Sequence, residues 1–130
     1  MVALFNGMNG GVGVSTRLDG PFRLSPHATD VDLLAKYFRG FGDPTRLRIL
    51  TLLRHEERSV GELVAALEQP QPKVSNHLAA LRWCGFVSAE RRGKRVFYRL
   101  ADERVASVVD LTKSLLVDNQ DHAARFKVRA

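Results

Sequence analysis

The sequence predicts a mostly helical fold that carries a β-hairpin, in the order α-α-α-α-β-β-α. Three observations predict it. Apolar residues recur at spacings of three and four in successive stretches between residues 29 and 84. The period changes to two on either side of Gly93. Helical spacing returns after Asp102.

The first helix is expected from Thr29 to Phe41. Leu34 stands three and four residues before Tyr37 and Phe38, and Phe41 four and three after them. Thr29 or Asp30 can cap it, and Asp32 suits the first turn. Rings this dense on a short helix need burial, shared between the core and a subunit interface. Asp43 as cap with Pro44 at the first helical position starts the second helix. Leu47, Ile49, Leu50, Leu52 and Leu53 cover most of its circumference, so it is central. Ser59-Val60-Gly61-Glu62 is a capping box that opens a third helix, with Leu63, Val64 and Leu67 inward.

The fourth helix is expected over residues 72–84. Pro70 and Pro72 fit its start and Gly85 its end. Val74, Leu78 and Leu81 form one apolar stripe, and Lys73, Asn76 and His77 lie off it with Ser75 on a flank. From this segment alone an ordinary amphipathic surface helix reads the same way. Its neighbours decide. Two short helices joined by a tight turn, the second polar at its start, make a helix-turn-helix. Phe86–Arg91 and Val96–Leu100 read as strands about the turn Arg92-Gly93-Lys94. Arg91, Arg92, Lys94 and Arg95 crowd the hairpin tip, with no acid nearer along the chain than Glu90. Beside a helix-turn-helix such a tip is a wing that can press on phosphate. Asp102 can cap the last helix, whose Val105, Val108, Val109, Leu115 and Leu116 form a stripe suited to a partner copy.

The bulk properties agree with a nucleic-acid partner. The net charge is +6 at 130 residues and the pI about 10.1, which favours a polyanion and says nothing of fold. One cysteine excludes an intrachain disulfide framework and suits a reducing compartment. No apolar run reaches the length of a membrane span, and the first residues lack a secretory pattern, so a cytoplasmic protein is expected. The domain expectation is a flexible leader at 1–26, with glycines at 7, 10, 11, 13 and 20, then a winged helix-turn-helix domain at 27–118 and a tail at 119–130.

The motifs and their order resemble the ArsR family of bacterial winged-helix repressors, also called ArsR/SmtB, over about residues 30–117. Asp43-Pro44-Thr45-Arg46-Leu47-Arg48-Ile49-Leu50 is similar to the family's signature at its second helix, and Ser59-Val60-Gly61-Glu62-Leu63 to the start of its third. Gln71-Pro72-Lys73-Val74-Ser75-Asn76-His77-Leu78-Ala79-Ala80-Leu81-Arg82 is similar to its recognition helix, and Gly93-Lys94-Arg95-Val96-Phe97-Tyr98-Arg99-Leu100 to its wing. The resemblance implies a homodimer paired through the first and last helices, here through Leu34, Tyr37 and Phe38 and through Val105, Val108, Val109, Leu115 and Leu116. It implies a repressor bound to a twofold operator in double-stranded DNA until an effector loosens it. Gln71, Lys73, Ser75, Asn76 and His77 would then face the groove, where Asn and Gln suit adenine and Lys suits guanine. Arg82 and the wing cations Arg91, Arg92, Lys94 and Arg95 would hold phosphate.

The chain departs from the metal-sensing members that the resemblance brings in. The third-helix segment at Ser59–Leu63 has no thiol. The last helix begins Asp102-Glu103-Arg104, with a cation where a ligand is needed, and Leu115 and Asp118 stand near the later ligand positions. Cys84 closes the recognition helix, but Ala80 stands one turn earlier, and a single cysteine makes no two-thiol switch. Cys84 is read as a small buried residue with only a minor claim to redox chemistry. No cofactor is expected. An effector metal stays open through one intersubunit set, His27, Asp30, Asp121 and His122, placed by sequence position alone. Two other classes stay open. A basic winged-helix module that binds RNA or coats the nucleoid has the same charge. An enzyme would need paired carboxylates, a Cys–His pair or a phosphate loop, and none is seen; the run from Gly7 to Gly13 lacks a strand before it and a Lys-Ser/Thr helix after it.

Overall fold

The computed structural model describes residues 26–127. All of the expected leader except Pro26 lies outside the described residues. The elements are α1 (Asp30–Phe41), α2 (Pro44–Leu53), β1 (Arg58–Ser59), α3 (Val60–Leu67), α4 (Gln71–Trp83), β2 (Val87–Arg92), β3 (Arg95–Leu100), α5 (Glu103–Asp118) and α6 (Gln120–Lys127). The expected order therefore gains two elements. The two-residue β1 is too short to leave a period in the sequence. The expected tail holds α6, built from good helix formers with Asp121 in its first turn.

Side-chain caps set the helix starts. Thr29 and Asp32 form a reciprocal box at α1, with the Thr29 N–H donating to Asp32 at 2.8 Å. Ser59 and Glu62 do the same at α3, with the Glu62 N–H donating to Ser59 Oγ at 3.1 Å. Asp43 accepts from the Arg46 N–H at 3.0 Å, and Asp102 from the Arg104 N–H at 2.8 Å. Each cap satisfies an amide that its helix leaves unpaired, for about 1 kcal/mol.

The core gathers Ile49, Leu50 and Leu53 of α2, Leu63 and Leu67 of α3, and Val74, Leu78 and Leu81 of α4 around Phe86 and Val87. Burying one such side chain contributes roughly 1.5–3 kcal/mol. Phe41 stacks on Phe86 with ring centroids 4.3 Å apart, and Tyr37 lies 5.6 Å from the same ring. These contacts anchor α1 on the core.

The stripe assigned to a partner copy divides here. Val105 and Val109 are buried in the chain's own core, and Tyr37 is packed against it; these three serve the monomer first. Leu34, Phe38, Val108, Leu115 and Leu116 stay exposed, together with Val31, Leu111 and Val117. Two apolar faces run side by side on α5, and only the one carrying Val105 and Val109 meets α2 and β3.

The sheet is antiparallel in the order β1-β3-β2. Its hairpin turn is shorter than expected. Arg92 pairs with Arg95, which leaves only Gly93 and Lys94 between the strands. Gly93 takes φ +62, the left-handed first position that a two-residue turn of type II′ requires. No described helix is long and apolar enough to cross a membrane.

Candidate nucleic-acid interface

α3 and α4 meet at a turn through Glu68, which takes φ 52 and donates its N–H to Val64 O at 2.9 Å. That left-handed residue stops α3 and redirects the chain into α4. α4 then buries Val74, Leu78, Ala80 and Leu81. Gln71, Lys73, Ser75, Asn76 and Arg82 are exposed. The helix ends in a Schellman motif. The Gly85 N–H donates to Arg82 O at 3.0 Å and the Phe86 N–H to Leu81 O at 2.9 Å. Gly85, at φ +80, supplies the left-handed residue that this motif needs, and Phe86 drops into the core beside Leu81.

His77 is placed differently from its neighbours. Its side chain is 17 % exposed, and Nδ1 lies 3.6 Å from Asp43 Oδ2 and 3.4 Å from Arg46 Nη1. One ring edge thus faces the start of α2. Burial pushes the His77 pKa down, aided by Arg46 and Lys73 and opposed by Asp43.

The four wing cations are not equivalent. Arg92 is bound by Glu57 and by Glu90, whose Oε1 accepts from Arg92 Nε at 2.7 Å. Sequence proximity missed Glu57, which comes from the loop before β1. Arg95 Nη2 donates to Ser59 Oγ at 3.1 Å, and both guanidiniums lie over the Phe97 ring, at 4.7 and 5.0 Å. Among the described residues Arg91 donates to Gly93 O of its own turn at 3.2 Å, and Lys94 sits exposed in that turn. An open cleft of about 530 Å³ separates the wing, at Lys94 and Arg95, from Gln71 and the start of α3.

Cys84 is buried, and burial pushes its thiol up. Lys36 covers the adjoining Trp83 ring at 3.9 Å. Within the chain, no group of three or more His, Cys, Asp or Glu could hold a metal among the described residues. His27 and Asp30 stand at the start of α1, Asp121 and His122 in α6, and no such group joins them. Arg104 binds Asp102 twice, with Nη2 at 2.8 Å, so that carboxylate is already engaged by a cation. The residues at α3 and α5 do not fit the metal sites that the resemblance implies.

A helix-turn-helix whose second helix exposes a polar face beside a basic hairpin is a DNA-binding architecture. The family model for bacterial regulatory proteins of the arsR family matches residues 43–89, which spans α2 to β2. A probable mercury resistance operon repressor from Streptomyces lividans is 44 % identical over 91 residues, covering 70 % of this chain and 73 % of that one. This chain belongs to the ArsR family. The SmtB repressor of Mycobacterium tuberculosis is 42 % identical over 88 residues, covering 68 % of this chain and 65 % of that one. Among solved structures, a homodimeric winged helix-turn-helix domain of a possible ArsR-family regulator from Mycobacterium bovis superposes with a TM-score of 0.66 at 30 % identity. That match covers 75 % of this chain and 95 % of the other. ArsR-family proteins are DNA-binding transcriptional regulators rather than enzymes, and they form homodimers. This ArsR-family chain is a DNA-binding transcriptional regulator.

Proposed function

We propose that the chain is a cytoplasmic homodimeric repressor that sets α4 into the major groove of an inverted-repeat operator. The observation that carries this reading is the exposed row Gln71, Lys73, Ser75 and Asn76 at the start of a helix whose opposite side is buried. Recognition helices read base edges from these first turns. Gln71 and Asn76 suit adenine and Lys73 suits guanine. Arg82, Arg91 and Lys94 hold phosphate and set the register. Arg95 stands at the wing edge as a further phosphate contact, and Arg92 supports the wing through its carboxylates.

The dimer forms through α1 and α5. Val31, Leu34 and Phe38 on one, and Val108, Leu111 and Leu115 on the other, are exposed apolar rows at helical spacing. Twofold pairing places the half-sites about one helical turn apart. DNA binding needs no cofactor, and an effector that releases the operator is not a metal held at α3 or at Asp102. The intersubunit set His27, Asp30, Asp121 and His122 is the only metal candidate this reading keeps.

The test is binding to inverted-repeat DNA from the promoter beside the chain's own gene, across a salt series, with and without Zn, Ni, Co, Cd and a thiol oxidant. Selective binding that falls steeply with salt supports the repressor. Release by Zn, Ni or Co that His122→Ala abolishes assigns the intersubunit set, and indifference to metals removes it. No preference for any duplex over random DNA overturns the reading, and tighter binding to RNA favours a basic RNA-binding module.

A further inference from the structure

Arg46 is held before it reaches the recognition helix. Its Nε donates to Gly40 O at 2.8 Å and its Nη2 to Arg39 O at 2.8 Å. Both acceptors are carbonyls in the last turn of α1, where Arg39 O also accepts the Gly42 N–H at 3.2 Å. Two bonds to fixed oxygens orient the planar guanidinium. The third arm, Nη1, lies 3.4 Å from His77 Nδ1.

A guanidinium has only donors. Nδ1 can meet it only with a lone pair, which places the ring's single proton on Nε2. Asp43 pulls the other way, since its Oδ2 at 3.6 Å favours a proton on Nδ1. That oxygen, however, already accepts the Arg46 backbone N–H at 3.0 Å. The positive charge of Lys73, one turn earlier on α4, also disfavours a second proton on the ring. The His77 side chain keeps 17 % of its surface exposed, and Nε2 is not among the buried atoms left without a partner.

We propose that Arg46 is a positioning residue that fixes His77 as the neutral Nε2–H tautomer, so that the recognition helix presents a hydrogen-bond donor to a base acceptor. The acceptor class is purine N7, guanine O6 or thymine O4. The base contact rests on the DNA-binding reading above, while the tautomer does not. The direction of the His77 pKa agrees, because a neutral ring is what donates from one nitrogen and accepts at the other.

The experiment is nitrogen NMR of the full chain with labelled histidine, with His77 assigned by its loss in His77→Gln. The wild type shows a protonated Nε2 and a bare Nδ1 at pH 7.5, with a titration midpoint below that of free histidine, about 6.5. Arg46→Met lets Asp43 draw the proton to Nδ1 and raises the midpoint above that of the wild type, while burial, the largest cause of the lowering, still acts. Asp43→Asn keeps the helix cap, because Asn caps as well as Asp. It retains the Nε2–H tautomer and lowers the midpoint further. A wild-type ring protonated on Nδ1 overturns the proposal. So does a tautomer switch in Asp43→Asn, which also decides the matter if Arg46→Met fails to fold. Selection of binding sites then reads the base contact. Arg46→Met changes base preference at the position under His77 and leaves the salt slope unchanged. An unchanged preference overturns the base-reading half. A chain that selects no duplex fails the DNA-binding reading while the NMR result stands.

Discussion

Glu57 reaches from the loop before β1 to grip Arg92 in the wing, with Oε2 accepting from Nη2 at 2.8 Å. Glu90 accepts from the same guanidinium. The hydrogen bonds from Arg92 lower the pKa of both carboxylates, so both stay ionised beside it. The basic tip is therefore less positive than its sequence suggests.

Glu57→Gln releases that charge. The pair is exposed, so stability changes little. Operator affinity at low salt rises several-fold, and the slope of log K against log salt steepens by about one, as for one added phosphate contact. Titrations in two or more salt concentrations check this. An unchanged slope means that Arg92 remains engaged by Glu90.

Gly40 sits where no side chain fits. A Cβ there would lie 2.8 Å from Cys84 Sγ and 2.9 Å from Phe86 Cε2. Gly40→Ala is expected to destabilise the fold by about 1–3 kcal/mol through overpacking, read as a lower urea midpoint. Adding Cys84→Ala relieves only the sulfur contact, so the double variant recovers part of the loss.

Stability falls with acid in two stages. His77 has a folded pKa below its ordinary 6.5, so the unfolded chain binds more protons and stability drops as the pH falls from about 6.5 through the folded value. His77→Gln flattens this stage. Asp32 and Glu62, the capping-box carboxylates, are held below their ordinary 3.8 and 4.5 mainly by the Thr29 and Ser59 amides. Their contribution is present above those values and is lost as the pH falls through the folded ones. Glu62→Gln weakens the second stage and leaves the first unchanged. Urea midpoints across pH 3 to 8 separate the two.

The two faces of α5 respond differently to charge. Leu111 is 73 % and Leu115 61 % exposed, while Val109 is buried. Leu111→Glu with Leu115→Glu leaves the helical circular-dichroism signal in place, shifts the chain to monomer in light scattering and weakens operator binding at least tenfold. Val109→Asp buries an unpaired carboxylate and abolishes folding altogether.

Local chemistry was readable in the sequence. The Ser59–Glu62 box, the Asp43-Pro44 start, Gly85 and Gly93 each announce a backbone need within a few residues. The exposed polar row Gln71, Lys73, Ser75 and Asn76 followed from helical spacing. Long-range pairing was not readable. Glu57 with Arg92, Arg46 with His77, and β1 with β3 each join residues more than thirty positions apart, and no periodicity carries that. The division of α5 was equally hidden. Val105–Val109 and Leu111–Leu115 share the same spacing of four, and only the packing against α2 and β3 says which is core. Glu68 gave no warning of its left-handed conformation, because a non-glycine residue is forced there by the turn rather than by its own preference.

The two-residue β1 has a consequence for the order of assembly. Arg58 pairs with Tyr98 and Ser59 with Phe97, so this ladder closes a loop containing α3, α4 and the first hairpin strand. The hairpin itself joins neighbours and can form in microseconds, whereas the β1 closure must first overcome loop entropy. β1 is expected to dock late, after the hairpin has zipped. Arg58→Ala then accelerates unfolding and leaves the refolding arm of a chevron plot nearly unchanged. Glu57 precedes β1 directly, so a chain opened only at this ladder has a complete hairpin whose Arg92 has lost one of its two carboxylates. The least durable stretch of the sheet thereby sets how long the wing keeps its native charge.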